Sequence, residues 1–472
     1  MDMENILFFI SLGVLIYMIV LNAFYSLNLL MAAIILPVYN KRYFFTKGIN
    51  IDKNISKSFS ILVPAYNEEK TIVDSVNSLL SLDYKNYEVV VANDGSKDKT
   101  LDILISTFEF VKVDVRPNDA CESKPIKAVY FSRIEPKLVL VDKENGGKPD
   151  AQNGAARVAR FPYICMVDAD TLLDKESLND LAIRFTAEPN IVALGGIIRV
   201  ANGCTIENGI VINAGMPRRF IEKMQVLEYL RAFLFGRVSL AAMKALMIIS
   251  GAFGVFRWDA FMLLGGWNRE AIGEDMDAVI RLQRIISEKG LDWKVDFIPD
   301  PVSWTQVPMT WKSLGHQRER WQRGLMQVML GNLKMLLNPR YGAVGLVGFP
   351  YFAIFEMLSA AVEFLCYPLT IMCFAFGIVN VTYMVYFLCL VLVWGLCISF
   401  FTIIVQEDIK YRYGTARDLK ALLCIAVFEN FGYRQIHSFW RLWGMMKYIF
   451  IKSSRSSGLT GWTSIPRAGF ME

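Results

Sequence analysis

Three groups of residues in this chain could do chemistry together. Asp168 and Asp170 close the apolar run Tyr163 to Val167, where a buried strand would give way to a loop. Two carboxylates one residue apart can reach one bound cation. Hard oxygen donors suit Mg2+ or Mn2+, which dehydrate reluctantly and bind through substrate phosphates. Such an ion stabilises charge on a departing diphosphate. Glu274 and Asp275 follow Gly273 and precede an amphipathic stretch through Val279, Ile280, Leu282, Ile285 and Ile286. A carboxylate at that point could act as a general base, taking the proton of an attacking hydroxyl. Gln317, Arg320 and Trp321 lie within the segment Gln317-Arg318-Glu319-Arg320-Trp321. A guanidinium pairs with phosphate oxygens and an indole face stacks on a sugar ring. Each group alone has a blander account: a solvated turn, acids complementing a helix dipole, an interfacial helix decorated with Arg and Trp. Their conjunction in one chain is what those accounts leave unexplained.

The elements that must position these groups read as α/β between residues 58 and 300. Ile61 to Pro64 and Val89 to Ala92 are short apolar runs that end in turn-prone or polar residues, and a helical pattern through Val73, Val76, Leu79 and Leu80 lies between them. Strand, helix, strand is the βαβ signature. Leu138 to Val141 and Tyr163 to Val167 read as further strands. Ligands of open parallel sheets bind outside the carboxyl ends of the strands, and the acidic pairs fall there. From 311 to 337, Trp311, Leu314, Trp321, Leu325, Met329 and Leu333 recur near helical spacing among Lys312, Arg318, Arg320 and Arg323. A basic helix with such a face suits a membrane–water interface, and equally a helix packed on the domain.

Charge is absent from long stretches near both ends. Residues 6 to 38 form one apolar run, longer than the roughly 20 residues a spanning helix needs. It lacks a small-residue cleavage site, so it reads as an uncleaved anchor. Lys41, Arg42, Lys47, Lys53 and Lys57 follow it, which by the positive-inside rule puts the next domain in the cytoplasm. Further apolar runs span 343 to 378 and 381 to 405, and a charged loop follows with Lys410, Arg412, Arg417 and Lys420. Residues 421 to 450 are apolar but interrupted by Glu429, Asn430, Arg434, Gln435 and Arg441. They fit either one span or a short span with a returning interfacial helix.

Composition narrows the classes. The 472 residues carry a net charge of +5 and no basic arm interleaved with aromatics, so a nucleic-acid partner is not expected. With two histidines, a histidine-based metal site is not expected either. The eight cysteines have no zinc-ligand or redox spacing, which suits a domain in a reducing compartment.

The order Pro64-Ala65-Tyr66-Asn67-Glu68-Glu69, Asn93-Asp94-Gly95-Ser96, Gly147-Lys148, Asp168-Ala169-Asp170, Gly273-Glu274-Asp275 and Gln317-x-x-Arg320-Trp321 resembles the processive family-2 membrane glycosyltransferases. These are the cellulose, mixed-linkage β-glucan, chitin, hyaluronan and poly-N-acetylglucosamine synthases. The resemblance covers residues 58 to 340 and, in layout, the flanking membrane segments. It implies a cytosolic α/β GT-A (Rossmann-like) catalytic domain with α-helical transmembrane and interfacial helices. The expected parts are an anchor at 1–40, the GT-A domain at 58–305, interfacial helices at 306–340, a transmembrane channel region at 343–450 and a tail at 451–472.

The resemblance also implies roles. Tyr66, Glu68 and Asp94 would line the uridine pocket, and Lys148 would contact the nucleotide. Asp168 and Asp170 would hold nucleotide and a Mg2+ or Mn2+ ion, with Asp170 ahead of Asp168 as the direct ligand. Asp275, with Glu274 beside it, would be the general base. Gln317, Arg320 and Trp321 would bind the diphosphate and the acceptor sugar, and Ser250 and Gly251 belong to an acceptor loop. Trp462 and Arg467 would belong to a gating tail. Two positions depart from the pattern: Gly273 stands where relatives carry Thr, and the acceptor loop Ile249-Ser250-Gly251-Ala252 lacks the cysteine of cellulose and chitin synthases.

The expected function is a plasma-membrane, multi-pass hexosyltransferase. It would polymerise sugar from a UDP-sugar donor onto a growing polysaccharide and pass the polymer across the lipid bilayer, with accessory secretion proteins as candidate partners. Glucose and a β-glucan, with 1,3/1,4 linkages, is the first reading. Poly-N-acetylglucosamine from UDP-GlcNAc, and non-processive transfer to a lipid carrier, are the alternatives. From another class, a transporter or scaffold with a dead catalytic domain is disfavoured by the complete acidic set.

Overall fold

The computed structural model describes residues 3–48, 57–207, 209–377, 381–405, 413 and 415–452. The strands, in chain order, begin with β1 (Phe59–Ala65), β2 (Tyr87–Asn93), β3 (Phe110–Val113), β4 (Ile126–Ser132), β5 (Leu138–Lys143) and β6 (Tyr163–Val167). They continue with β7 (Thr171–Leu173), β8 (Ile191–Val200), β9 (Thr205–Glu207), β10 (Ile210–Asn213), β11 (Phe253–Arg257) and β12 (Lys294–Thr305). Ten of them form one sheet in the order β3-β4-β5-β2-β1-β6-β11-β8-β12-β7. The centre, β5-β2-β1-β6, is parallel. Every residue of β1, β2, β5 and β6 is buried, because helices cover both faces; that is why these strands read as continuous apolar runs rather than alternating ones. β11 enters antiparallel between β6 and β8.

Helices of the catalytic half are α2 (Ile72–Leu80), α3 (Thr100–Thr107), α4 (Lys148–Ala156), α5 (Ser177–Ala187), α6 (Phe220–Tyr229), α7 (Val238–Ala242), α8 (Trp258–Leu264) and α9 (Glu274–Lys289), preceded by the long α1 (Met3–Gly48). α2 buries Ile72, Val76 and Leu79 on one side, the spacing that marked it as a helix. Between α6 and α7 the chain runs as a π-helix, Leu230–Arg237. α10 (Trp311–Gly331) begins at Thr310, whose side chain accepts from the Ser313 N–H, a serviceable N-cap.

Beyond it lie α11 (Ser359–Ala375), α12 (Val381–Val405), α13 (Ala416–Phe428) and α14 (Arg434–Lys452). Among the described residues two helical segments are long and apolar enough to cross a membrane, Ile6–Tyr39 and Val344–Ala375. They turn large apolar side chains outward, among them Phe9, Ile19, Leu30, Ile34, Leu365 and Ile371. The region 421 to 450 resolves into two helices. The chain breaks between them, with Phe431 and Gly432 outside helical geometry. α14 then runs along α10: Arg441 Nε donates to Gln322 Oε1 at 3.0 Å and Lys447 Nζ to Glu319 Oε2 at 2.8 Å. At the break, Arg231 meets Glu429 in two bonds of 2.6 Å each, tying the π-helix to the C-terminal helices.

Candidate active site

Asp168 directly follows β6 and Asp170 precedes β7; the Thr171 N–H closes this turn on the Asp168 carbonyl at 3.0 Å. The sheet therefore delivers both carboxylates at a strand's carboxyl end. Lys148 opens α4, and its Nζ lies 2.6 Å from Asp168 Oδ1, 3.1 Å from Glu274 Oε1 and 3.4 Å from the Gly251 carbonyl. Glu274 and Asp275 open α9. Asp275 accepts from the Gly251 N–H through Oδ2 at 3.0 Å and from the Met276 N–H through Oδ1 at 2.8 Å. A β-carbon on Gly251 would sit 2.9 Å from the Lys148 ammonium and 3.3 Å from Glu274 Oε1, so a side chain there would push the Lys148 ammonium aside. α10 crosses the start of α9 in backbone contact, since a β-carbon on Gly324 would lie 3.0 Å from the Gly273 nitrogen.

These residues share one cavity of about 430 Å³. Lys148, Asp168, Asp170, Ser250, Gly251, Glu274, Asp275, Gln317, Arg320 and Trp321 all line it. It extends to Glu356, His437 and Arg441, so α14 and the helical segment after Val344 form its far wall. Arg318 stacks on the Trp321 ring at 4.4 Å and is held by Glu228 at 2.5 Å.

The electrostatics separate the acids. Burial pushes the Asp168 carboxyl up, Lys148 pulls it back, and Asp170 pushes it up again, for a net rise. Burial works to raise Glu274, but Lys148 and Arg320 outweigh it and hold the group low. Burial first, and the Glu274 charge second, raise Asp275 above the ordinary carboxylate range. Lys148 is desolvated, yet Asp168 and Glu274 more than compensate and raise its pKa. One ionised and one proton-avid carboxylate side by side is the division of labour that acid–base chemistry uses.

Asp94, expected in the uridine pocket, has its own set of partners. It is fully buried, and Lys143 Nζ (2.8 Å), Asn145 Nδ2 (3.1 Å), Gly146 N (3.0 Å) and Gly147 N (2.8 Å) occupy its oxygens. With both oxygens so engaged, Asp94 shapes the loop that presents Lys148. Tyr66 and Glu68 sit half-buried at the carboxyl edge of β1, off the cavity that holds the acids. Trp462 and Arg467 lie outside the described residues.

As for a metal, the Asp168 and Asp170 carboxylates face one cavity, and the second raises the pKa of the first. Their hard oxygens fit Mg2+ or Mn2+. No cluster of three or more His, Cys, Asp or Glu stands ready among the described residues. The protein would thus offer few ligands and leave positions for phosphate and water, as suits Mg2+.

Several wall residues were not singled out as site residues in the sequence: Glu228, Tyr229, Arg237, Arg318 and His437. Arg441 carried a signal, being a charge inside an apolar stretch. Arg237 carried none, because nothing local announces a π-helix.

Residues 163–402, half of the chain, match the model of glycosyl transferase family group 2, and residues 60–246 match that of glycosyl transferase family 2. The chain belongs to the family-2 glycosyltransferases, a family of hexosyltransferases with a GT-A-like mixed α/β fold. Among curated relatives, the poly-beta-1,6-N-acetyl-D-glucosamine synthase of Staphylococcus aureus (strain COL) is 27% identical over 292 residues, 61% of this chain and 60% of that one. The Staphylococcus epidermidis protein of the same name is 28% identical over 275 residues, 58% and 56% of the two chains. The matches thus span about three fifths of the relatives' length. Among solved structures, a mannosyltransferase from Pyrobaculum calidifontis in complex with GDP-Man and Mn2+ superposes with a TM-score of 0.51 at 17% identity, over 92% of this chain and 99% of that one. That likeness concerns the fold.

Proposed function

We propose that this chain is a processive, inverting hexosamine polymer synthase that extends a poly-N-acetylglucosamine from UDP-GlcNAc. The observation that carries the reading is the single cavity joining Asp168, Glu274, Asp275, Arg320 and Trp321 to Glu356 and Arg441 on the helices that follow. The cavity leads from the acids to those helices, the direction a growing chain would take after each addition. The glucose expectation gives way because the curated relatives are named as N-acetylglucosamine polymer synthases.

In this reading Asp275 accepts the proton of the acceptor hydroxyl as its oxygen bonds to the anomeric carbon of the donor sugar. The bond from that carbon to the diphosphate breaks, and UDP leaves on the opposite side. Lys148, Arg320 and Gln317 bind the diphosphate, and Trp321 stacks on the acceptor sugar. Asp168 and Asp170 would hold Mg2+ or Mn2+, which when bound supplies charge stabilisation to the leaving group. Glu274 stays ionised, holds Lys148 in place and keeps Asp275 proton-avid.

The outward apolar side chains of Ile6–Tyr39 and Val344–Ala375 support a multi-pass plasma-membrane protein. The basic residues after the first span support a cytoplasmic catalytic domain. The decisive experiment incubates the purified protein with UDP-GlcNAc or UDP-glucose, sizes the product and digests it with linkage-specific glycosidases. Long N-acetylglucosamine chains are expected; a product one sugar longer than its acceptor would remove the processive reading, and a glucose polymer would remove the hexosamine one.

A further inference from the structure

The π-helix Leu230–Arg237 forms part of the cavity wall through Ala232, Phe233 and Arg237. Such wide turns are frequent at functional sites. The Arg237 guanidinium rests on the Phe233 ring, 3.9 Å from its centroid. Its Nη1 is buried and has no hydrogen-bond partner among the described residues. Two other arginines on the wall are engaged, Arg318 by Glu228 at 2.5 Å and Arg441 by Gln322 at 3.0 Å. Burial pulls the pKa of Arg237 down to about 10, and the field of Asp275 offsets this only in part. A buried cation short of partners is costly. One kept on a substrate cavity wall is a binding group awaiting its ligand.

Its place identifies the ligand. In the proposed reaction Asp168, Asp170 and Lys148 hold the diphosphate, and Lys148 adjoins Glu274 at 3.1 Å, so donor and base meet in one cluster. Asp275 is the charged group that acts most on Arg237. In inverting transfer, base and leaving group lie on opposite sides of the anomeric carbon, so a donor beside the base meets the acceptor.

We propose that Arg237 is an acceptor-binding residue, whose guanidinium donates hydrogen bonds to a substituent oxygen of the acceptor's terminal sugar and so holds its hydroxyl at Asp275. This rests on the polymer-synthase reading. An acetamido carbonyl, a strong neutral acceptor, suits the guanidinium, and the Phe233 ring gives an apolar platform for a sugar face.

The test uses the full chain in lipid nanodiscs, as wild type, Arg237→Gln and Arg237→Lys. UDP affinity is measured by calorimetry, and transfer is followed against a β-linked N-acetylglucosamine tetrasaccharide and against UDP-GlcNAc. Arg237→Gln should raise the tetrasaccharide KM about tenfold or more, about 1.4 kcal/mol, with Arg237→Lys between the two. UDP affinity and donor KM should stay within about twofold, which also reports an intact fold. Weakened UDP binding would make Arg237 a diphosphate ligand and overturn the assignment, and so would an unchanged tetrasaccharide KM. A wild type that binds UDP but extends no oligosaccharide would overturn the polymer reading as well, a failure visible before any substitution is made.

Discussion

Replacing Gly324 by alanine should lower activity about tenfold while the melting temperature falls by only a few degrees. The new β-carbon would lie 3.0 Å from the Gly273 nitrogen and 3.2 Å from its Cα. Carbon atoms prefer about 3.5–4.0 Å, and backbone cannot rotate out of the way as a side chain can. Helix α10 must therefore retreat from the start of α9 by about half an ångström. Overpacking of this kind costs about 1–3 kcal/mol, but alanine regains about 1 kcal/mol of helix propensity, so the melting temperature should fall by only a few degrees. The catalytic effect has no such offset. Arg320 and Trp321 are one turn from Gly324, and Glu274 and Asp275 directly follow Gly273, so the retreat widens the gap between the two halves of the site. If a 1 Å misplacement costs about 100-fold, half of that costs about tenfold. The assay is UDP release at saturating donor, with melting temperature recorded in parallel. On the other side of the contact, a β-carbon on Gly273 meets the Gly324 Cα at 3.6 Å, the Gly324 carbonyl carbon at 3.7 Å and Asp275 Oδ1 at 3.9 Å, all ordinary contact distances, so Gly273→Ala should lose about twofold at most. At Gly331, on the same helix, nothing lies within 4 Å, and alanine there should leave activity alone. Full activity in Gly324→Ala, or an equal loss in Gly331→Ala, would refute the reasoning.

Asp275→Asn should lower sugar transfer by about 10²–10⁴ with UDP affinity retained; wild-type turnover would end its role as base. Because the folded-state pKa of Asp275 is raised, its contribution to stability is present below the unfolded pKa of about 3.9 and lost as pH rises through the folded value. Asp275→Asn should therefore melt higher than wild type at pH 7, and a lower melting temperature would contradict this. Glu274→Gln removes the neighbouring charge that helps raise Asp275, so the acid limb of the rate profile should move to lower pH; a shift upward would be inconsistent with the coupling. Lys148→Met leaves Asp168 and Glu274 without their shared cation, so the melting temperature should drop and Mn2+ should restore part of it, whereas no restoration would argue against a cation site here. Arg231→Met strands the Glu429 carboxylate, and breaking such a buried pair costs about 3–5 kcal/mol; Arg434 and Ser399 remain near Glu429, so the lower end is expected. The double variant Arg231→Met, Glu429→Leu should recover most of that loss, and no recovery in a thermal-shift series would count against an unpaired charge as the cause.

The sequence disclosed what depends on local pattern, and little that depends on how distant segments meet. Strands β1, β2, β5 and β6 were readable because burial on both faces forces short unbroken apolar runs. The carboxyl end of β6 located Asp168 and Asp170, and the amphipathic pattern after Gly273 located Glu274 and Asp275 at a helix start. Asp94 shows the limit. Its motif marked it as part of the site, but only the paired N–H groups of Gly146 and Gly147 reveal that both oxygens are already engaged. The break at Phe431 and Gly432 was equally hidden, because an apolar stretch interrupted by charges describes one wet span as well as two helices. What decides between them is α14 lying on α10, a contact between residues more than a hundred positions apart.

Arg237 is the sharper case. Its local sequence is an ordinary apolar helix ending in a basic residue, a pattern that usually means a solvated helix end. In the fold it lies over the ring of Phe233, four residues earlier on the same helix face, and on the cavity wall, within the field of Asp275. The same two residues frame the question of which sugar the proposed synthase would polymerise. In the proposed reaction the motif residues act on the diphosphate and on a hydroxyl proton, which every donor and acceptor sugar supplies. Discrimination between glucose and N-acetylglucosamine must come from groups that touch the ring substituents instead. Those groups are set by helix register and loop approach, so they vary without disturbing any motif. Arg237, Phe233 and the close-packed Ser250-Gly251 loop stand where such contacts would be made, and specificity exchange between relatives should follow substitutions there rather than in the acidic pairs.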